Sequence, residues 1–253
     1  MRPRQLHCRG AGLKGKSVPF ADIGSSHLTS GLIPTRIHYR EEGGGFPLIF
    51  LHGGWGYEIY PFDRQIEAFN KQFRIIIPDR SGYGRSTKIK ILPTDFHELA
   101  AMEMIGFLDA LSIQHALIWG HSDGAVIAAM MALSAPERIN GLILEAFHYF
   151  KVKPGSERFF SSLAQDPDQL GERISHGLKL EHGEEHWRNV IKMNSEAWLK
   201  IAAESKDPSE DLFGGNFKSC RCRPCSFTGH RIRVPNPGRS KLSAKSSGRR
   251  RFT

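Results

Sequence analysis

The stretch GHSDGA, residues 120–125, decides the fold, because it holds a serine between two glycines at the end of an apolar run. The segment HALIWG, which ends in this stretch, is typical of a buried strand, and the segment VIAAMMAL, which follows it, is typical of a helix. A serine at such a tight turn adopts strained geometry with its hydroxyl pushed out above the sheet, and side chains two residues away would collide across the turn. The flanking glycines therefore predict an exposed hydroxyl on Ser122, where a strand meets a helix.

Strand and helix patterns alternate along the chain up to about residue 150. Continuous apolar runs predict strands that are buried on both faces, whereas TRIHYRE shows the alternation of a half-buried strand. We predict strands at residues 35–41, 46–52, 73–79, 115–120 and 140–147, and helices at 58–70, 95–112 and 123–134. This order implies an α/β fold with a mostly parallel sheet and helices on both faces. Residues 150–206 interrupt the alternation with helical patterns only, which predicts a helical cap over one edge of the sheet.

Two further glycine-rich motifs follow predicted strands. LHGGWG, residues 51–56, comes directly after the first buried strand, and PDRSGYGRS, residues 78–86, comes after the second. The glycines of the first motif let the backbone approach Ser122, so that the N–H of Gly54 can donate to an oxyanion. The helix that begins at Asp123 offers another free N–H at the same place. The sequence therefore predicts a pair of backbone donors around the serine hydroxyl.

In their order and spacing, LHGG, PDRSGYGRS and GHSDGA resemble the α/β-hydrolase fold family, and the resemblance covers about residues 18–212. The likeness is to its cap-bearing members, which include esterases and C–C-bond hydrolases. It implies Ser122 as the nucleophile, an oxyanion hole formed by the backbone of Gly54 and Asp123, and a pocket wall that includes Trp55. It also implies hydrolysis of an ester or a related acyl or C–C bond in a small-molecule substrate, with no metal and no cofactor. The serine disfavours the branches that cleave epoxides and haloalkanes, because those use an aspartate at this position.

The remaining members of a serine triad are missing from the expected part of the chain. The family order places an acid and then a histidine after the nucleophile. After Asp211 the sequence holds no Asp or Glu, and His230 is the last histidine. Glu145 and His148 are the fallback acid and base, although we favour the simpler interpretation that they only line the site. His121, beside the nucleophile, is expected to pack in the pocket wall. Without a general base the serine hydroxyl is a poor nucleophile, so we expect impaired activity.

The charge distribution divides the chain into a body and a basic end. Residues 1–211 carry 24 basic and 26 acidic side chains, whereas the last 42 residues carry eleven Lys and Arg and no acid. We expect a basic N-terminal arm at residues 1–17 (a flexible extension or a spurious start), a hydrolase domain at 18–215, and a tail at 216–253. A slip of the reading frame near residues 214–219 would account for the charge break, the cysteine-rich CRCRPC and the missing triad members together. The last strands of the sheet would then be absent from this chain. The alternative is a genuine, disordered tail.

Two classes of function remain open from the sequence. The favoured class is a serine hydrolase, and the alternative is a non-catalytic binding protein on the same scaffold, whose basic tail contacts nucleic acid or an anionic membrane. The tail has few aromatic side chains between its charges and no recognised binding module, so we expect neither partner. Its three cysteines lack a fourth ligand at zinc-site spacing. No apolar run resembles a signal peptide or is long enough to span a bilayer, which predicts a cytoplasmic protein.

Overall fold

The computed structural model describes residues 19–30 and 34–219. In that part of the chain the strands are β1 Phe20–Asp22, β2 Arg36–Gly43, β3 Phe46–Leu51, β4 Phe73–Pro78, β5 Ala116–His121 and β6 Ile139–Glu145. The α-helices are α1 Asp63–Phe69, α2 Phe96–Ala110, α3 Asp123–Ser134, α4 Ser156–Gln165, α5 Gly171–His182 and α6 Trp187–Glu204. Single 3₁₀ turns occupy His27–Thr29, Pro167–Leu170 and Asn216–Ser219. The expected N-terminal arm and the tail from residue 220 onwards lie outside the described residues, so those two expectations stay predictions.

The sheet is mostly parallel, which confirms the predicted fold class. Its strand order is β1-β2-β4-β3-β5-β6, so the strand that precedes the LHGG motif lies near the centre. Strand β3 pairs in parallel with β4 and β5, and β5 pairs in parallel with β6. The antiparallel strands β1 and β2 form one edge. Because parallel strands end on the same side, the three glycine-rich motifs, which follow β3, β4 and β5, meet at one edge of the sheet.

The central strands are buried on both faces because successive side chains alternate between two cores. In β3, Ile49 and Leu51 pack in the core that α2 and α3 cover, whereas Leu48 and Phe50 pack in the core that contains Ile66 of α1. All four strand side chains are at most 3% exposed. Each such burial stabilises the fold by roughly 1.5–3 kcal/mol. The unbroken apolar run in the sequence is the direct result of this two-sided packing.

The helices after β6 form an insertion whose two ends lie side by side. The N–H of Lys151 donates to the carbonyl of Glu210 at 2.9 Å, and the N–H of Leu212 donates to the carbonyl of Tyr149 at 2.9 Å. Between these ends, α4 and α5 each pack against α6. Helix α6 also contacts Asp123, the first residue of α3. The insertion therefore lies over the carboxyl edge of the sheet, where the three motif loops meet.

Packed structure continues to the last described turn. Phe217 contacts the rings of Phe147, Tyr149 and Phe213 beside the end of β6. This aromatic group lies across the boundary expected at residue 215, and the boundary itself stays a prediction. Among the described residues, no helix has both the length and the apolar character that a membrane span requires.

Candidate active site

Ser122 forms the turn between β5 and α3. Its backbone has φ 53° and ψ −120°, and residues with a side chain rarely adopt a positive φ. Its N–H donates to the carbonyl of Glu145 at 2.9 Å, and its carbonyl accepts from the N–H of Ala125 at 2.9 Å. A strained backbone of this kind costs about 1–3 kcal/mol and persists only where the surrounding structure holds it. The positive φ together with the ψ of −120°, at a half-buried serine between a strand and a helix, marks this turn as a candidate site.

The glycines on either side of Ser122 allow backbone segments to touch where no side chain fits. A Cβ atom on Gly120 would overlap the carbonyl oxygen of Gly124, and a Cβ atom on Gly124 would overlap the carbonyl oxygen of Leu51 in β3. Both obstacles are backbone atoms, which cannot rotate away. The collision that the sequence predicts across the turn is confirmed, and the second contact also joins α3 directly to the central strand.

The LHGG loop lies against the same turn. A Cβ atom on Gly53 would lie 3.3 Å from the Cβ of Ser122, and one on Gly54 would lie 2.5 Å from a carboxylate oxygen of Asp123. Within the described residues, neither the N–H of Gly54 nor the N–H of Asp123 donates a hydrogen bond to the protein. Two backbone donors are therefore available close to the serine.

A cavity of about 350 Å³ opens in front of Ser122. Its volume is at the lower end of the range for small-molecule sites. The structure brings most of the residues singled out from the sequence to its wall: Gly54, Trp55, His121, Ser122, Asp123 and His148. Glu145 is the exception, since it does not line this cavity. Trp198, Phe159 and Phe160 from the helical insertion complete the apolar part of the wall.

The ring of His148 lies within hydrogen-bond distance of the serine. Its Nε2 is 3.2 Å from the Oγ of Ser122. Burial, together with the positive charge of Lys153, lowers the pKa of His148 to about 4. The ring is therefore neutral at pH 7, and its Nε2 can accept a proton from the serine. The other described contact of this ring is edge-on to the indole of Trp198 at 5.7 Å.

The fallback acid, Glu145, lies at the end of β6 and makes different contacts. Its carboxylate accepts a hydrogen bond from the Tyr60 hydroxyl at 2.7 Å and one from the Trp119 indole at 3.3 Å. The Tyr60 ring stacks on His121, with 3.8 Å between ring centres. Glu145 thus fixes Tyr60 and, through it, the His121 side of the cavity, and it makes no hydrogen bond to the His148 ring.

The side chain of Asp123 is a buried anion beside the nucleophile. Its carboxylate accepts hydrogen bonds from Asn194 Nδ2 at 2.7 Å and Trp198 Nε1 at 3.1 Å, and His97 Nε2 lies 3.4 Å away. Burial acts to raise the pKa of this carboxyl, but the hydrogen bond from His97 and the charge of Lys153 outweigh it, so the pKa lies well below its usual range. The first turn of α3 is thereby joined to α2 and α6 around a fixed negative charge.

Sequence reasoning missed the side chains of Asn194 and Lys153, both of which line the cavity. Asn194 and Trp198 are four residues apart on α6, so the helical period could have placed them on one face, but not against Asp123. Lys153, in the loop after β6, also lines the cavity, and nothing in its neighbourhood in the sequence distinguishes it from the other lysines. Among the aromatic residues of the insertion, Trp187 does not line the cavity and packs with Leu163 and other apolar side chains instead.

A metal site in a protein needs several ligand side chains close together. Residues 19–30 and 34–219 bring together no group of three or more His, Cys, Asp or Glu side chains that could hold an ion. The cysteine-rich CRCRPC lies outside the described residues.

Comparison with known proteins agrees with this geometry. A family model described as the alpha/beta hydrolase fold matches residues 47–190, which is more than half of the chain. The chain is 37% identical over 126 residues to a 2-hydroxy-6-oxononadienedioate/2-hydroxy-6-oxononatrienedioate hydrolase of Paraburkholderia phymatum. The aligned stretch covers 47% of this chain and 42% of that protein. It is 34% identical over 128 residues to a 2-hydroxymuconate semialdehyde hydrolase of Pseudomonas sp., which covers 49% of this chain and 43% of that protein. The chain thus spans less than half the length of these relatives.

Solved structures show the same fold. A thermophilic esterase from Thermogutta terrifontis superposes with a TM-score of 0.57 at 19% identity, over 82% of this chain and 79% of that one. A hydrolase from Pseudomonas aeruginosa superposes with a TM-score of 0.55 at 19% identity, over 83% of this chain and 80% of that one. At this level of identity the likeness concerns the fold alone. Together with the family match, the parallel sheet and the serine turn lead to one conclusion: the chain belongs to the alpha/beta hydrolase family.

Proposed function

We propose that this chain is a serine hydrolase that cleaves an ester or a related acyl or C–C bond of a small molecule, with Ser122 as the nucleophile. The observation that carries the proposal is the position of this serine. It combines a positive φ, a hydroxyl that faces a cavity, and a neutral imidazole nitrogen 3.2 Å from the Oγ. A hydroxyl alone is a weak nucleophile, and an adjacent imidazole that can take its proton is the usual means of activating it.

The proposed reaction uses the groups around the turn in sequence. Ser122 Oγ attacks the carbonyl carbon of the substrate while its proton passes to Nε2 of His148. Negative charge develops on the carbonyl oxygen, and the N–H groups of Gly54 and Asp123 donate to it. One such donor stabilises the transition state by roughly 3 kcal/mol. His148 then gives the proton to the leaving group, and water repeats the two steps to release the acyl product.

The same contacts lead us to propose slow turnover. A general base works best when its pKa is close to the working pH, and the pKa of His148 is about 4. In a complete triad an acid orients the imidazole, and loss of that role lowers the turnover number by about 10⁴. Glu145 bonds to Tyr60 and Trp119 instead of to this ring. We therefore expect the activity proposed for these residues to be weak.

The helical insertion has the role of a cap in this proposal. Phe159 of α4 stacks on Trp55 of the LHGG loop, with 6.0 Å between ring centres, and both rings line the cavity. Two of the relatives are named as hydrolases of oxo-dienedioates and of a muconate semialdehyde, and another, from Caballeronia sordidicola, is named an epoxide hydrolase. The serine at position 122 favours acyl or C–C cleavage over epoxide opening.

A fluorophosphonate probe, which reacts with activated serines, tests the proposal. We expect slow, stoichiometric labelling of the 253-residue chain at Ser122, none in Ser122→Ala, and labelling slowed at least tenfold in His148→Gln. His176→Gln, at an exposed position on α5, is the matched control and should label at the wild-type rate. Equal labelling of wild type and Ser122→Ala would refute the assignment of the nucleophile. Equal rates in wild type and His148→Gln would remove His148 from the mechanism.

A further inference from the structure

The cavity in front of Ser122 combines an apolar wall with few ionisable side chains. Trp55, Phe159, Phe160 and Trp198 line its apolar part. Its carboxylate, imidazole and ammonium side chains are Asp123, His121, His148 and Lys153. Which of these can bind a ligand depends on whether its charge and its hydrogen bonds are already satisfied within the protein.

Three of the four are already satisfied or neutral. The Asp123 carboxylate is 1% exposed and accepts hydrogen bonds from Asn194 and Trp198. Burial lowers the pKa of His121, and burial lowers the pKa of His148 further, so both rings are neutral at pH 7. None of these groups presents an unused charge to the cavity.

Lys153 differs from the other three. Its Nζ lies 3.3 Å from the centre of the Trp198 ring and 5.5 Å from the centre of the Phe160 ring, so two aromatic faces hold the ammonium in place. The ammonium makes no hydrogen bond or ion pair with any other described residue, although it has three N–H donors. Burial lowers the pKa of Lys153 to about 8, which leaves it mostly protonated at pH 7. The cavity therefore contains one positioned cation whose donors are unused.

We propose that Lys153 is a specificity-determining residue that binds a carboxylate of the substrate while the scissile carbonyl lies at Ser122. A single ammonium in a cavity of about 350 Å³ suits one carboxylate on a short chain. A phosphate dianion fits less well, because Lys153 is the single cation that faces the cavity among the residues the structure describes, and the fixed negative charge of Asp123 is close by. The aromatic wall suits the apolar carbon chain between the two groups. The inference rests on the proposed function, of which it names the substrate class.

Binding of hexanoate and of its neutral counterpart hexanamide to the 253-residue chain at pH 7 tests this inference without requiring turnover. Titration calorimetry gives both affinities, and the ratio between them isolates the contribution of the charge. We expect hexanoate to bind about tenfold more tightly than hexanamide, as one charge-assisted hydrogen bond would provide. Lys153→Met should reduce the ratio to within about twofold, and Lys153→Arg should restore most of it. Lys192→Met, at an exposed position on α6, is the control and should leave the ratio unchanged.

Two results would overturn the inference: equal affinities for the two ligands in the wild type, or an unchanged ratio in Lys153→Met. Affinity for hexanamide, which lacks the charge, reports whether Lys153→Met keeps its fold. The outcome is also distinct from that of the proposed function. Absence of probe labelling at Ser122 together with a ratio that depends on Lys153 would reject the hydrolase and retain the carboxylate site. Labelling at Ser122 without a ratio that depends on Lys153 would retain the hydrolase and reject the carboxylate site.

Discussion

Glu181, at the end of α5, gives the sharpest prediction, because it is a buried carboxyl that joins the helical insertion to the LHGG loop. Its two oxygens accept hydrogen bonds from the backbone N–H groups of Tyr57 and Glu58, at 2.7 and 2.9 Å. Its side chain is 4% exposed. Burial raises the pKa of Glu181 to about 7, against an ordinary value of 4.5. The folded state therefore holds this proton more tightly than the unfolded state does.

The direction of the pH effect follows from that difference. Below about pH 4.5 the carboxyl is protonated in both states, and the stabilising contribution of the bound proton is fully present. As the pH rises, the unfolded state loses the proton first, and the contribution is lost as the pH passes through about 7. A difference of about 2.5 pH units at 1.36 kcal/mol each gives about 3 kcal/mol as an upper limit.

Replacing Glu181 with Gln removes this titration and keeps one acceptor oxygen. Urea unfolding, followed by tryptophan fluorescence between pH 4.5 and 8, gives the free energy of unfolding of both proteins. We expect the advantage of wild type over Glu181→Gln to fall by about 2–3 kcal/mol across this range. The difference between the two proteins isolates Glu181, because other buried groups also titrate. Burial lowers the pKa of His182 to about 4, so His182 makes the protein more stable as the pH rises. Glu185→Gln, on the surface nearby, is the control, and a difference that stays within about 0.5 kcal/mol for Glu181→Gln would refute the reasoning.

Three further predictions concern packing around the site. Gly124→Ala should lower the free energy of unfolding by more than about 3 kcal/mol or prevent folding, because its Cβ would overlap a carbonyl oxygen of β3. Gly106→Ala, in the open part of α2, is the control and should be neutral or stabilising. Equal melting temperatures for the two variants would contradict this. Asp123→Ala should lower the free energy of unfolding by about 2–4 kcal/mol, since it leaves two buried donors of α6 unpaired, and urea unfolding that shows a loss below about 1 kcal/mol would count against it. Phe159→Ala should change the relative rates for short and long acyl esters at nearly unchanged stability. Trp187→Ala, at a fully buried position away from the cavity, should lower the free energy of unfolding by about 3–5 kcal/mol. An equal slowing of all esters in Phe159→Ala would make that ring structural only.

The sequence predicts the strands and the serine turn well, because both depend on local patterns. The helix predicted at residues 123–134 has those bounds in the structure, and the strand predicted at 73–79 ends at Pro78. In each case a glycine or a proline marks the end of an apolar run, so no distant contact decides the boundary. The helix predicted at 58–70 is shorter and begins at Asp63, since Tyr57 and Tyr60 form a separate turn ahead of Pro61.

What the sequence does not predict depends on contacts between distant residues. The short strand β1 has only three residues and pairs with β2, which leaves too little periodicity to detect. Two of the partners of Asp123 come from α6, 71 and 75 residues further along the chain. The Nζ of Lys153 has an aromatic support that only the folded chain provides. Helical spacing can put two side chains on one face, but it does not say what that face meets.

The carboxylate of Asp123 also limits how the protein could be rebuilt. Insertions between strands are often treated as parts that can be exchanged between related proteins, with the sheet as a constant base. Here Asn194 and Trp198, both on the insertion, supply two of the hydrogen bonds that satisfy a buried charge one residue from the candidate nucleophile. A chimera whose replacement segment lacks these donors would leave that charge exposed to an apolar cavity, at a cost of about 3–5 kcal/mol, which is comparable to the whole stability of many domains. Residue 123 and the segment that contacts it would therefore have to be transplanted as a pair. Recombination within this fold is expected to succeed when no crossover point lies between residue 123 and that segment.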